Sequence, residues 1–187
     1  MVQTPTKLLT LEEFLKLPET KPASEYVNVK IIQKPMVQGE HSILQGDLVS
    51  VINSILKGPK VGRAYPELRC TFGNRSIVPD VSVFKWKRIS RRADGRVENA
   101  FNIAPNWSIE ILSPRQSQTK VIRNILHCLN HDAEMGWLLD LEESCIFVYS
   151  GKNLVQVFEV AEMMLPVPEF AQAVSLTVSE IFDWLKA

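Results

Sequence analysis

The sequence predicts a single mixed α/β (α+β) domain over residues 1–187, a central sheet with helices packed against it. Three patterns point there. Apolar residues recur at helical spacing over 41–57 and again over 119–131. Short runs rich in Val, Ile, Phe and Trp, bounded by Gly, Pro and Asn, flank and separate those helices and read as strands. No Gly/Ser-rich or Pro-rich stretch divides the 187 residues, a length at which one core suffices, and no internal repeat is visible.

Each element has a local cause. Thr10-Leu11-Glu12-Glu13 has capping-box spacing and opens a short helix that runs to Leu17 and stops at Pro18. Residues 25–34 alternate imperfectly and read as one strand, ended by Pro35. The helix over 41–57 gathers Ile43, Leu44, Leu48, Val51, Ile52, Ile55 and Leu56 on one face, and Gly58-Pro59 terminates it. A strand over 64–72, the turn Gly73-Asn74 and a strand over 76–84 make a hairpin. Residues 107–112 form a strand stopped by Ser113-Pro114, and the helix over 119–131 carries Val121, Ile122, Ile125, Leu126 and Leu129 inward. Strands over 137–141 and 145–149 are joined by the acidic turn Glu142-Glu143, and another follows Gly151 over 154–159. Thr177-Val178-Ser179-Glu180 is a second capping box, opening a helix with Ile181, Trp184 and Leu185 facing inward.

Composition excludes several classes. With 45% hydrophobic and 22% charged residues the chain is ordinary for a globular protein, and no apolar run approaches the roughly 18 residues that span a bilayer. Residues 1–7 lack the basic-then-apolar pattern of a secretory signal, so a cytoplasmic location is expected, with no membrane partner. Cys70, Cys128 and Cys145 are odd in number, far apart and set among apolar neighbours; they read as reduced packing residues. A net charge of zero argues against a nucleic-acid coat protein held by bulk electrostatics, though not against a local basic patch.

Function rests on two acids. Asp80 heads one apolar strand after Pro79, and Glu110 lies inside another, Trp107-Ser108-Ile109-Glu110-Ile111-Leu112. A buried unpaired carboxylate is strongly disfavoured, so two of them on neighbouring strands suggest convergence on a shared cation. With the main-chain carbonyl of Ile111 they would hold Mg²⁺ (or Mn²⁺), whose octahedral shell is commonly completed by water and a phosphate oxygen. That set suits phosphodiester cleavage, and Lys120 or Arg123, on the helix after the Glu110 strand, would bring a cation to orient the attacking hydroxide.

The remaining candidates read two ways each. Lys85, Lys87, Arg88, Arg91, Arg92 and Arg96 face only Asp94 among acids; they form either a solvated loop or a phosphate-contacting patch, and the loop joins the two acid-bearing strands. Glu67 is a third carboxylate ligand or a strand-edge charge. His41 is a general base or phosphate contact, or a capping or surface residue. His127 and His131, four apart, are a metal pair or packing residues. Trp86 stacks on a base or packs.

Pro79-Asp80-Val81, the strand through Glu110 with its Ser113-Pro114 stop, the helix after it, and Gly136-Trp137-Leu138-Leu139-Asp140 resemble the Uma2 family (DUF820) of restriction-type endonucleases. That family is abundant in cyanobacteria and belongs to the PD-(D/E)xK nuclease superfamily. The resemblance runs from the Glu25-Tyr26 strand to the Tyr149 strand. It implies a restriction-endonuclease-like core, Asp80 and Glu110 as metal ligands, DNA as partner, and a homodimer. It also implies Glu25 as an additional amino-terminal acid and matches His41 to a family histidine.

The chain departs from the pattern at its lysine. Two residues after Glu110 the superfamily has Lys, and here Leu112 stands there; the following-helix slot that commonly holds the Uma2 lysine is Asn124. Lys120, one helical turn before Asn124, shares its face and is the expected replacement. The expected function is therefore an Mg²⁺-dependent DNA endonuclease. The alternatives are a nuclease fold kept as a nucleic-acid-binding or regulatory module, favoured by Leu112 and Asn124, and an interaction domain whose acids are salt-bridged to Lys120 and Arg123.

Overall fold

A computed structural model describes residues 9–114, 116–151 and 154–186; the expectation for residues 1–7 lies outside them. A helix α1 (Leu11–Leu15) opens the described chain, its capping box closed by Thr10 and Glu13. Strands β1 (Ser24–Val27) and β2 (Lys30–Gln33) follow, then the long helix α2 (Gly39–Leu56). Strands β3 (Gly62–Pro66), β4 (Cys70–Phe72), β5 (Arg75–Ile77) and β6 (Val81–Lys85) lead to β7 (Trp107–Leu112). Helix α3 (Gln118–Leu129), strands β8 (Met135–Asp140), β9 (Cys145–Ser150) and β10 (Leu154–Phe158), and the capped helix α4 (Val178–Asp183) complete the order.

The strands form two sheets: a six-stranded one in the order β10-β9-β8-β7-β6-β3, and a four-stranded one in the order β2-β1-β5-β4. In the large sheet only β7 and β8 run parallel, with α3 as their crossover. Side chains alternate across it. Trp107, Ile109 and Ile111 join Leu44, Leu48, Ile52 and Leu56 of α2 in the main core, while Leu138 and Tyr149 on the opposite face pack under Val121 and Ile125 of α3. Gly136 lets α3 approach β8: a Cβ there would run into Ile125 Cγ2.

Three expected strands are broken where the site is built. Residues 25–34 are a hairpin, turned at Asn28 and Val29, both at positive φ (52° and 61°), as a two-residue type I′ turn requires. Residues 64–72 and 76–84 each divide between the two sheets, at Glu67 (φ 42°) and at Val78-Pro79. The expected hairpin pairing holds on both sides of these breaks, β4 with β5 around Gly73-Asn74 and β3 with β6 in the large sheet. The buried stripe of α2 is also narrower than its periodicity suggests, because Ile43 is exposed.

Candidate functional site

The register of the central strands sets the two acids side by side. Strands β6 and β7 are antiparallel with Val81 opposite Ile109, so one step further along lie Asp80 and Glu110. Glu110 shares the α3 face of its strand with Ser108 and Leu112, and both acids are buried, Asp80 2% and Glu110 3% exposed.

The cation that meets them is Lys34, immediately after β2, a residue the sequence reading passed over. Its Nζ donates to Asp80 Oδ1 at 2.5 Å and to the Val78 carbonyl at 2.8 Å, and lies 4.0 Å from Glu110 Oε2. The hairpin turn at Asn28-Val29 makes this possible, because it returns the chain past β1 to the sheet junction. Glu25 on β1 grips the preceding peptide of the same residue, its Oε1 accepting from Val78 N at 2.8 Å. The link from β5 into Asp80 is thus held by an acid and a base of one hairpin.

The surrounding bonds orient Asp80. Its Oδ2 accepts from Ile111 N at 2.7 Å, and its own carbonyl accepts from Gln45 Nε2 at 2.8 Å. His41 is turned inward rather than capping α2: Nδ1 lies 3.1 Å from Ser113 Oγ, and Nε2 lies 3.3 Å from Asp80 Oδ1 but off the line of a hydrogen bond. Asn124 donates to Glu25 Oε2 at 3.1 Å, so the slot expected to hold the family lysine instead steadies an acid. Leu112 is half-buried in the α3 cluster.

Charge sorts these carboxyls. Burial pushes Asp80 upward, but Lys34 and His41 outweigh it and hold the group at about 2. Glu110 goes the other way: burial, reinforced by Asp80 and Glu25, drives it well above the usual carboxylate range against the pull of Lys34. Glu25 is raised by burial too, against its bonds to Val78 and Asn124. Lys34 is held charged, its burial overcome by Asp80 and Glu110. Oε1 of Glu110 is a buried oxygen with no hydrogen-bond partner among the described residues.

Glu110 and Lys34 form part of the wall of a cleft of about 650 Å³ between the β1–β2 hairpin and α3. Lys30, Lys120 and Arg123 line it as well, against Glu25 as the other acid. Lys120 is exposed on that wall and makes no ion pair with either acid among the described residues; Lys34 holds the place expected for it. Nor do the acids pair with Arg123, which is exposed on the same wall. Glu67 is exposed beyond β3, joined to the site only through its N–H on the Asp80 carbonyl at 3.1 Å.

The basic segment is elsewhere. Because β6 and β7 are antiparallel, both ends of the connection lie away from the acids: Lys85 is five residues of strand, roughly 16 Å, from Asp80, and Trp107, opposite Val83, is three residues, roughly 10 Å, along. The expectation that one end of this loop lies near the acids therefore fails. Lys85 is paired with Glu134 at 2.6 Å, and Arg91 stacks over the Trp86 ring at 5.1 Å, while Lys87 and Arg92 are exposed and Arg88 half-buried. His127 and His131 pack beside Phe72, His127 stacked on its ring at 4.7 Å with Nε2 donating to its carbonyl. All three cysteines are unpaired and buried, with burial pushing the Cys70 thiol up to about 12.

A mixed sheet with helices on both faces, and acids from two adjacent central strands meeting a lysine at one end, has the architecture of the restriction-endonuclease-like fold. The chain belongs to the Uma2 family: the family model, described as a putative restriction endonuclease, matches residues 11–179. Among solved structures it is similar to a putative nuclease belonging to DUF820 from Anabaena variabilis, at 57% identity over 94% of this chain and 98% of that one, with a TM-score of 0.93. No curated protein matches the chain. No helix among the described residues is long and apolar enough to cross a membrane.

Proposed function

We propose that the protein is an Mg²⁺-dependent endonuclease that hydrolyses DNA phosphodiester bonds in the cleft between the β1–β2 hairpin and α3. The observation that carries this reading is the convergence of Asp80 and Glu110 on one cationic point, the Lys34 ammonium, at a cleft that Lys30, Lys120 and Arg123 line.

The residues fit a hard divalent ion. Glu110 Oε1 is a buried oxygen without a partner, and both donors are carboxylates, the ligand type that Mg²⁺ and Mn²⁺ take. Among the described residues no group of three or more His, Cys, Asp or Glu is arranged to hold a metal, so the protein would supply Asp80, Glu110 and the Ile111 carbonyl, a sparse set of the kind Mg²⁺ uses with water and phosphate. Such an ion polarises a phosphoryl oxygen and lowers the pKa of a bound water.

The chain's own residues do the rest. Lys30, Lys120 and Arg123 draw the phosphate backbone into the cleft, and their contribution weakens with salt. Lys34 takes the part assigned from sequence to Lys120: an ammonium beside the acids, able to orient the nucleophile and stabilise charge on the phosphoryl oxygens. Asp80 stays ionised over the whole working pH range, fixed in direction by the Ile111 N–H. Glu25 and Asn124 are positioning residues, acting through Val78, whose N–H Glu25 binds and whose carbonyl Lys34 binds.

Supercoiled plasmid incubated with Mg²⁺ or Mn²⁺ should be nicked by the wild-type protein and left intact by Asp80→Ala. Equal nicking by both would remove the assignment. One observation favours a second reading, a nucleic-acid-binding module without catalysis: the acids are nearly closed to solvent and one is already paired to lysine. Salt-sensitive DNA binding with no cleavage under either metal would select it.

A further inference from the structure

We infer that β10 is a self-association edge, through which two copies of this chain join their large sheets into one continuous sheet across a two-fold axis. The large sheet has two edges, β3 and β10. Natural edges are blunted by charge or proline, and β3 carries both, Arg63 within it and Pro66 at its end. In the small sheet the edge strand β2 begins with Lys30. Strand β10 has no such guard: its sequence is Leu154-Val155-Gln156-Val157-Phe158, with the first four residues exposed.

The exposure has two sides. Phe158 is buried in the core under α2, which places Leu154 and Gln156 on that face by alternation. Val155 and Val157 pair with Tyr149 and Phe147, so they extend the apolar face that packs under α3, yet stand 48% and 45% exposed at its rim. Another protein's strand would fit such an edge as well, but the absence of charge favours a second copy. Across a two-fold axis each residue meets its own kind or its mirror position, and a charged strand would repel itself. With the axis at Gln156, Val155 of each copy faces Val157 of the other and the two Gln156 amides meet. Neither contact sets like charges together.

The inference is independent of any metal or activity, so its test is one of mass. The wild-type protein should elute in light scattering as a dimer, and Val155→Lys with Val157→Lys should be monomeric at unchanged circular dichroism. A monomeric wild type, or a double variant that stays dimeric, overturns it. Should the double variant fold poorly, Gln156→Cys decides the matter. The three native thiols are buried, and antiparallel partners lie within disulfide reach, so mild oxidation should yield a covalent dimer under native conditions. Absence of that dimer would count against the two-fold edge.

Discussion

Replacing Lys34 with Met removes the only ammonium seen to contact Asp80 among the described residues while keeping the length of an unbranched side chain. The pair is buried, with side-chain exposures of 10% for Lys34 and 3% for Asp80, so solvent cannot take over the lost contact. Deleting one partner of a buried ion pair costs about 3–5 kcal/mol, against roughly 0–1 kcal/mol for an exposed pair. The Val78 carbonyl loses its donor in the same step. At about 2–4 °C per kcal/mol for a chain of this size, the unfolding midpoint should fall by roughly 10 °C in metal-free buffer. Mn²⁺ should then restore more stability to Lys34→Met than it adds to wild type, because no ammonium contests the carboxylates. Saturation at a hundred times the Kd returns about 2.7 kcal/mol. Chemical denaturation with and without Mn²⁺ measures both effects. A variant within about 0.5 kcal/mol of wild type, the range of ordinary surface changes, would show that the pair holds nothing together; a destabilised variant blind to Mn²⁺ would show that the carboxylates do not form an ion site.

Further outcomes follow from the same contacts. Glu110 is raised well above its ordinary value of 4.5, so an ion that binds its carboxylate must displace a proton; Mn²⁺ calorimetry in buffers of different ionisation enthalpy should show proton release, with affinity rising with pH. His127 is lowered from 6.5 to about 4, chiefly by burial, so the unfolded chain binds the extra proton first, and this share of stability is complete above pH 6.5 and lost as pH falls towards 4. His127→Gln should flatten that part of the stability curve; an unchanged slope assigns it to other groups. Gly136→Ala should destabilise by about 1–3 kcal/mol in thermal unfolding, since the added methyl meets Ile125 and overpacks the α3 interface. Lys120→Ala with Arg123→Ala should weaken DNA binding and reduce its salt dependence, whereas Lys87→Ala with Arg92→Ala, at the remote loop, should leave both unchanged in fluorescence anisotropy.

Much of the architecture was legible because its causes are local. The capping boxes at Thr10 and Thr177 mark true helix starts, and the strand over 107–112 has the bounds read from its apolar run. Where the reading failed, tertiary pairing overrode a local pattern. Residues 25–34 alternate well enough for one strand, and Asn28 is the single residue in the stretch that tolerates the left-handed turn. Missing that turn meant missing Lys34, since only a hairpin returns its ammonium to Asp80. Two acids in apolar strands are visible in a sequence because burial makes them anomalous; a lysine in a polar stretch is not. The basic loop shows the converse error. Adjacency in sequence to Asp80 suggested adjacency in space, but the antiparallel register of β6 and β7 sends the loop to the far end of the sheet.

Whether Asp80 and Glu110 jointly hold a cation can be read from the heat of Mn²⁺ titrated into the wild-type protein, Asp80→Asn and Glu110→Gln under identical conditions. One saturable site in the wild type, abolished in each variant while both remain folded, is the expected result. No binding to the wild type, or binding that survives both substitutions, would contradict it.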